Sequence, residues 1–320
     1  LFLCSSQSDE VLQALRPEWN EKIQMPVEEK CSMLNIQCST FNLFSFADEL
    51  SEGIEREQFS LSHLEQPDLF LRLRPGKEII ATQKLTKAGI PFNQTTNTCI
   101  ALPNSSRIDD IIDLNKEAVV QDYSSQRVSD FLSVPVANRP LSVWDCCAAS
   151  GGKSIMVYDF IPGIELTVLD VRESILVNLK KRFAKAGIHR YKYFTTDLSK
   201  EGSKALPLAS GEGFNLIICD APCSGSGTWG RTPEQLSYFE ESRIDDYASL
   251  QKKIVSNTIP HVKPGGYFLY ITCSVFKKEN EDVVESIKME FDLELMKMEV
   301  IKGYDRKADT MFAALLRRPL

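Results

Sequence analysis

Histidine is scarce in this 320-residue chain: His63, His189 and His261 are the only three, and none stands beside a cysteine. None of the nine cysteines makes a C-x2-C pair, so the usual spacing of a zinc site is missing and no metal centre is expected. Their number is odd and their positions (4, 31, 38, 99, 146, 147, 219, 223 and 273) are scattered, which speaks against a secreted disulfide framework and for a reducing cytoplasm. No apolar run approaches the roughly 20 residues of a membrane helix. No basic-then-apolar leader opens the chain, and its first residue, Leu rather than Met, suggests a trimmed start. The expectation is a soluble, cytoplasmic, monomeric protein with no membrane partner.

An excess of basic charge is lacking too. The net charge is −7, but residues 1–65 carry 4 Lys/Arg against 12 Asp/Glu, residues 66–118 carry 7 against 6, and residues 119–320 carry 26 of each. The acidity belongs to the first segment, and the neutral remainder neither supports nor excludes an RNA partner.

What is present is ample apolar content, 43%, and a regular pattern over the last two thirds. Residues 1–65 read as a small helical region, with helical patches at Glu10–Leu15 and Glu28–Leu34. Residues 66–118 read as a small α/β subdomain with a strand at 69–74, a helix at Glu78–Ala88 and short strands around Cys99–Leu102. From Val119 apolar runs alternate with amphipathic stretches, as in βαβ units on a largely parallel sheet. Strands are expected at 141–147, 165–170, 191–197, 214–220 and 266–274, with two more near 291–300 and 311–317. Helices are expected over Ser174–Ala186, with Ser174 as N-cap, and over Tyr238–Pro260.

In open α/β sheets ligands lie beyond the carboxyl ends of the strands. Four of the expected strand ends carry Asp145, Asp170, Asp197 and Asp220. The first runs into a turn of small residues, Cys147, Ala148, Ala149, Ser150, Gly151 and Gly152, followed by Lys153. Small side chains let a ligand approach the backbone, and the helix that follows offers unpaired N–H groups to a carboxylate or phosphate. The G-x-G-x-x-G of a dinucleotide cofactor is missing from this turn, which sets aside an oxidoreductase on a similar sheet. Asp170 is positioned to accept ribose hydroxyls and Asp197 the amine of adenine, a set that describes S-adenosylmethionine. Any one of these aspartates is equally well an ordinary helix cap; four in register beside such a turn argue for a site.

Asp220 and Cys223 lie in a Pro/Gly/Ser loop after one strand, and Cys273 ends the next. Adjacent strand ends bring both thiols to one rim. Cytosine C5 is too weak a nucleophile to take a sulfonium methyl unaided. A thiolate added to C6 makes C5 an enamine carbon, while a carboxyl at N3, for which Asp220 is placed, supplies a hydrogen bond and a proton. A second thiol aids release. The remaining cysteines, Cys4, Cys31, Cys38, Cys99, Cys146 and Cys219, are expected to be small buried hydrophobes.

These residues resemble the Sun/Fmu and nucleolar-protein (Nop/Nsun) group of RNA cytosine-C5 methyltransferases. The resemblance is carried by VVQDYSSQRV (119–128), VWDCCAASGGK (143–153), LD (169–170), TD (196–197), DAPCSGSGTWGRTPE (220–234), KPGGYFLYITCS (263–274) and NEDVV (280–284). It implies a class I, Rossmann-like fold with a seven-stranded, mostly parallel sheet, and S-adenosylmethionine held by residues 147–153, Asp170, Asp197 and Asp220. It further implies Cys273 as nucleophile, Cys223 as the thiol that aids product release, and 66–118 as an RNA-binding subdomain. Similar bacterial members act on small-subunit ribosomal RNA; transfer RNA is the alternative substrate, and a catalytically silent assembly factor the alternative role. Ser150 stands where the group usually has Pro. Basic side chains set to meet RNA phosphates include Arg72, Arg74, Lys77, Lys84, Lys87, Lys180, Lys181, Arg182 and Arg231, each otherwise a solvated surface charge.

Overall fold

The computed structural model describes residues 2–3, 8–34, 44–133, 140–200 and 213–320. Three short helices come first: α1 (Glu10–Leu15), α2 (Pro17–Asn20) and α3 (Val27–Met33). Asp9 caps α1 by accepting the Leu12 N–H at 2.9 Å, and Phe2, Leu12 and Ile23 form a small core beneath them. Cys4 and Cys38 lie outside the described residues, whereas Cys31, Cys99, Cys146 and Cys219 are buried.

Helix α4 (Arg56–Ser62) belongs to a segment that lies against distant parts of the chain. Phe44 and Phe59 pack with Trp229, Phe276 and Tyr304. The Ser51 N–H donates to the Val275 carbonyl at 2.8 Å, and the Ser51 hydroxyl donates to Glu281 at 2.9 Å.

A small antiparallel sheet follows, made of β1 (Leu69–Leu73), β2 (Asn93–Gln94), β3 (Cys99–Leu102) and β4 (Ala118–Val120), in the order β2-β3-β1-β4. Helix α5 (Glu78–Lys87) packs Ala81 and Leu85 onto Leu71, Leu73 and Ile100. Strand β4 carries this sheet to Val120, past residue 118, because Val119 and Val120 still pair with Arg72 and Leu71. Asp122 then caps α6 (Tyr123–Arg127) by accepting the Ser124 N–H.

The rest of the chain builds a seven-stranded sheet from β5 (Ser142–Asp145), β6 (Glu165–Asp170), β7 (Tyr191–Thr195), β8 (Phe214–Asp220), β9 (Val262–Thr272), β10 (Glu294–Ile301) and β11 (Met311–Arg317). Its order is β10-β11-β9-β8-β5-β6-β7. The five strands from β7 to β9 are parallel, and β11 and β10 join antiparallel. Helices α7 (Gly152–Phe160), α8 (Glu173–Ala186), α9 (Gln235–Tyr238), α10 (Ser242–Thr258) and α11 (Glu281–Glu290) make the connections. Apolar clusters cover both faces of the sheet, which is why its central strands read as continuous apolar runs such as Leu216–Cys219. The chain steps from β5 toward β6 and β7, then returns to β8 on the other side of β5, so the crevice between β5 and β8 is the switch point where such sheets bind ligands.

Two expectations are corrected. Helix α8 begins at Glu173, and Arg172 rather than Ser174 is its N-cap residue, without a side-chain cap bond; the Asp170 carboxylate takes the Arg172 N–H instead, at 2.9 Å. The long helix expected over Tyr238–Pro260 is split: Phe239 is extended, and the last turn tightens at Ile259–His261, where Pro260 brings no N–H. Among the described residues no helix is long and apolar enough to cross a membrane.

The small sheet is pinned to the large one through Asp159 on α7. Arg72 reaches its carboxylate at 2.7 Å and Arg74 at 2.6 Å, and the Arg72 and Asp159 side chains are 3% and 4% exposed. Arg72 also donates to Gln121 at 2.7 Å. Two guanidinium groups on one buried carboxylate leave a cation stranded if the acid is removed. Asp159→Ala is therefore expected to lower the unfolding free energy by about 3–5 kcal/mol, read as a lowered midpoint in urea.

Candidate active site

The turn after β5 has a backbone that few side chains permit. Ala149 adopts φ +45° and Gly151 φ +85°, and a Cβ on Gly151 would sit 2.7 Å from the Phe183 ring. Glycine is therefore required there by space and conformation together. The Ala148 N–H donates to the Leu169 carbonyl at 2.8 Å and the Ala149 N–H to Asp170 at 2.9 Å. Asp170 thus shapes the turn, its other oxygen taking the Arg172 N–H and side chain. The N-cap of α7 is Gly151, which makes no side-chain cap bond, so the first turn of α7 has no capping side chain on its amides.

Lys153 leaves the turn to join the neighbouring strand end: its ammonium is 3.1 Å from Asp220 and donates to Ser125 at 2.8 Å. Asp197 lies two residues beyond β7, where Ser199 donates to it through its hydroxyl at 2.6 Å and its N–H at 3.0 Å. These bonds hold its carboxyl below the usual range. Asp145, the remaining strand-end acid, is fully buried and accepts from Ser154 at 2.5 Å; burial pushes its carboxyl up to about 7. It faces the core beneath the turn.

The two thiols of the opposite rim meet. Cys223 Sγ lies 3.2 Å from Cys273 Sγ, although 50 residues separate them in sequence. The hydrogen bond to Cys273 and burial hold the Cys223 thiol well above its usual range, with the charges of Cys273 and Glu279 adding to the effect. Cys223 therefore keeps its proton.

Glu279, which the sequence reading passed over, braces both loops. Fully buried, it accepts from the Ser224 N–H at 2.9 Å, Gln251 at 2.9 Å and the Ser274 hydroxyl at 2.7 Å, and its own carbonyl accepts from Tyr270 at 2.7 Å. Burial raises its carboxyl pKa. Asn280 adds bonds to Thr272, Ser51 and the Ser274 carbonyl. The signal was at hand, since NEDVV begins one residue later, but no spacing rule links Glu279 to Ser224.

Gly225, Gly227 and Gly230 do form a G-x-G-x-x-G spacing, outside the turn where that pattern was sought. Here it makes a tight 3-10 turn at Ser226–Arg231 rather than opening an α-helix. The Gly227 N–H donates to the Cys273 carbonyl at 2.9 Å, and a Cβ on Gly227 would overlap the Thr310 carbonyl. Its glycines pack loops together.

Cys146, Cys147 and Cys219 also converge, their sulfurs all within 4.8 Å of one another. No sequence spacing announced this, because parallel pairing of β5 with β8 creates it. Of the nine basic residues set against RNA, five are occupied in the fold: Arg72 and Arg74 with Asp159, Lys84 with Glu117, Arg182 with Ser150 and Asn115, and Arg231 with Asp122 and Asp309. Lys180 lies 3.5 Å above the Tyr193 ring. Lys87 and Lys181 are exposed and Lys77 is half-buried.

The strand order, the small-residue turn at the switch point and the acids at the strand ends define the class I methyltransferase fold. A sequence profile described as 16S rRNA methyltransferase RsmB/F matches residues 135–316, more than half of the chain, and the chain belongs to that family. It is 30% identical over 211 residues to the ribosomal RNA small subunit methyltransferase B of Xanthomonas campestris pv. campestris, covering 63% of this chain and 46% of that one. The enzyme of the same name from Proteus mirabilis is 31% identical over 165 residues, 52% of this chain and 37% of that one. The chain thus spans less than half the length of these curated relatives. Among solved structures, NSun6 from Pyrococcus horikoshii with SFG superposes with a TM-score of 0.71 at 14% identity, over 87% of this chain and 97% of that one. A methyltransferase homolog protein from the same organism gives 0.68 at 20%, over 91% and 98%. At such identities the likeness carries the fold alone.

Glu279→Ala is expected to reduce turnover about a hundredfold, with folding retained, because both thiol loops lose their common acceptor; circular dichroism and a turnover assay check this. Asp145 generates a pH effect. With its carboxyl raised to about 7, the folded chain keeps a proton that the unfolded chain releases near pH ~4. Its contribution to stability is whole below about pH 4 and is lost as the pH rises toward 7. Asp145→Asn is expected to flatten that decline in denaturation curves taken across this range. A residual slope remains from Asp309, which burial and the charge of Asp122 also raise to about 7.

Proposed function

We propose that this protein transfers a methyl group from S-adenosylmethionine to C5 of a cytosine in RNA, with small-subunit ribosomal RNA as the substrate. The observation that carries the reading is the thiol pair, Cys223 and Cys273 at 3.2 Å, held on the rim beside Asp220 and the small-residue turn.

The residues present fit the cofactor. The strained turn at 147–153 and the first amides of α7 suit the amino-acid portion, with its carboxylate. Asp170 has carboxylate lone pairs left for ribose hydroxyls, and Val171, 56% exposed just beyond β6, offers an apolar contact to adenine. Asp197 has one carboxylate oxygen that Ser199 does not use, 3.6 Å from the exposed Lys200 ammonium. When bound, the cofactor supplies an electrophilic methyl group.

The chain's own residues do the rest. Cys273, whose sulfur lies 3.2 Å from that of Cys223, adds as thiolate to C6 of cytosine. The carboxyl group of Asp220 meets N3 and hands it a proton as negative charge builds on the ring. Lys153, 3.1 Å away, holds that carboxyl group in place. After C5 is methylated, N3 returns its proton to Asp220, solvent water takes the C5 proton, and the electrons of that C–H bond re-form the C5–C6 double bond as the C6–S bond breaks; Cys273 leaves as thiolate beside the Cys223 thiol. The target base must be unpaired or flipped out to reach this rim, and Lys77, Lys87 and Lys181 are the candidates to meet backbone phosphates.

Incubation with labelled S-adenosylmethionine and small-subunit ribosomal RNA, followed by digestion to nucleosides, tests the reading. Label is expected in 5-methylcytidine and is expected to vanish in Cys273→Ala, a loss of at least about a thousandfold. Cys223→Ala is expected to accumulate a protein–RNA adduct resistant to denaturant. Label on transfer RNA alone would shift the substrate. Absence of label from every RNA, with full biological function in Cys273→Ala, would replace the enzyme by an assembly factor.

A further inference from the structure

Ser150 occupies the centre of the cofactor turn, and the structure shows what holds it. Arg182 on α8 donates through one nitrogen to the Ser150 hydroxyl at 2.7 Å and to the Ser150 carbonyl at 3.0 Å, and through Nε to Asn115 at 2.8 Å. No carboxylate among the described residues pairs with this guanidinium; burial and the nearby charge of Arg72 both press against its positive state. A half-buried cation is retained here for the hydrogen bonds it donates, and its planar fork suits two acceptors on different segments.

Asn115 is itself constrained. It takes φ +72°, a conformation that asparagine tolerates better than most residues. Its carbonyl accepts from Arg74 at 3.0 Å, and Arg74 also donates to the Ala186 carbonyl at the end of α8 at 2.6 Å. The small sheet thus grips α8 at its last turn and α7 through Asp159, and Arg182 extends that grip into the turn between β5 and α7.

We propose that Arg182 is a positioning residue that fixes the cofactor turn through Ser150 and ties it to Asn115 of the small α/β unit. The inference rests on the reading that the turn holds S-adenosylmethionine. A turn with positive φ at Ala149 and Gly151 has alternative backbone states, and removing the acceptor bonds at Ser150 releases it into them. The expected consequence falls on cofactor affinity. The thiol rim is braced separately by Glu279 and should be spared.

The test is calorimetric titration of S-adenosylhomocysteine into the full chain and into Arg182→Ala, Arg182→Lys, Asn115→Ala and Ser150→Ala, with melting temperature and steady-state kinetics in parallel. Arg182→Ala is expected to weaken binding about tenfold and to raise KM for the methyl donor likewise, with KM for RNA and kcat at saturating donor within about threefold of the parent. Arg182→Lys, which reaches Ser150 without the fork to Asn115, is expected to recover part of the loss. Asn115→Ala, which removes the Nε acceptor, and Ser150→Ala, which removes the hydroxyl acceptor but keeps the carbonyl one, are expected to weaken binding about threefold and serve as the reading if Arg182→Ala fails to fold. Affinity within twofold of the parent in Arg182→Ala, or equal losses for donor and RNA, overturns the proposal. Failure of the parent chain itself to bind the nucleoside would instead overturn the functional reading on which it rests.

Discussion

Parallel pairing of β5, β8 and β9 sets the level at which everything else is placed. Asp145 is opposite Ile218, and Asp220 opposite Ile271, so the turn at 147–153, the loop at 220–226 and the loop at 273–276 leave the sheet side by side. A slip of one residue would send each strand's side chains to the opposite face. The apolar clusters on both faces resist such a slip. The rim chemistry is therefore a by-product of core packing, and the loops need only local bonds to finish it.

Those bonds are supplied by charge placed where water is excluded. Among the described residues no cation contacts Glu279; it is satisfied by an amide, a hydroxyl and a carboxamide drawn from three segments. Such an acceptor is demanding, because every partner must be present at once. The reward is geometric, since the residues after both cysteines share a single anchor. Asp159 plays a comparable part between the two sheets with two guanidinium groups.

Much of this was readable from the chain alone. The strands, the small-residue turn and the two cysteine loops follow from periodicity and from the residues at strand ends, and the resemblance carried the roles. The basic residues were less readable. Arg72 and Arg74 alternate along β1 as exposed charges would, and nothing nearby in sequence names Asp159, 87 and 85 positions away, as their partner. Glu279, the Arg182 fork and the convergence of Cys146 and Cys147 with Cys219 were hidden for the same reason. Hydrogen-bond partners chosen across a sheet leave no period in the sequence. Helix boundaries failed where a side chain acted from outside the helix, as Asp170 does at α8.

The embrace of the rim by residues 44–65 has a consequence for the order of events during synthesis. Ser51 is bonded to Glu281 across 230 residues, and Phe44 and Phe59 await Phe276 and Tyr304. At ribosomal rates of roughly 5–20 residues per second, these rings emerge about 10–50 s before their partners. Through that interval they are uncovered apolar surface on a nascent chain. The acidic charge that crowds the same segment, 12 acids against 4 bases over residues 1–65, keeps neighbouring chains apart while it waits.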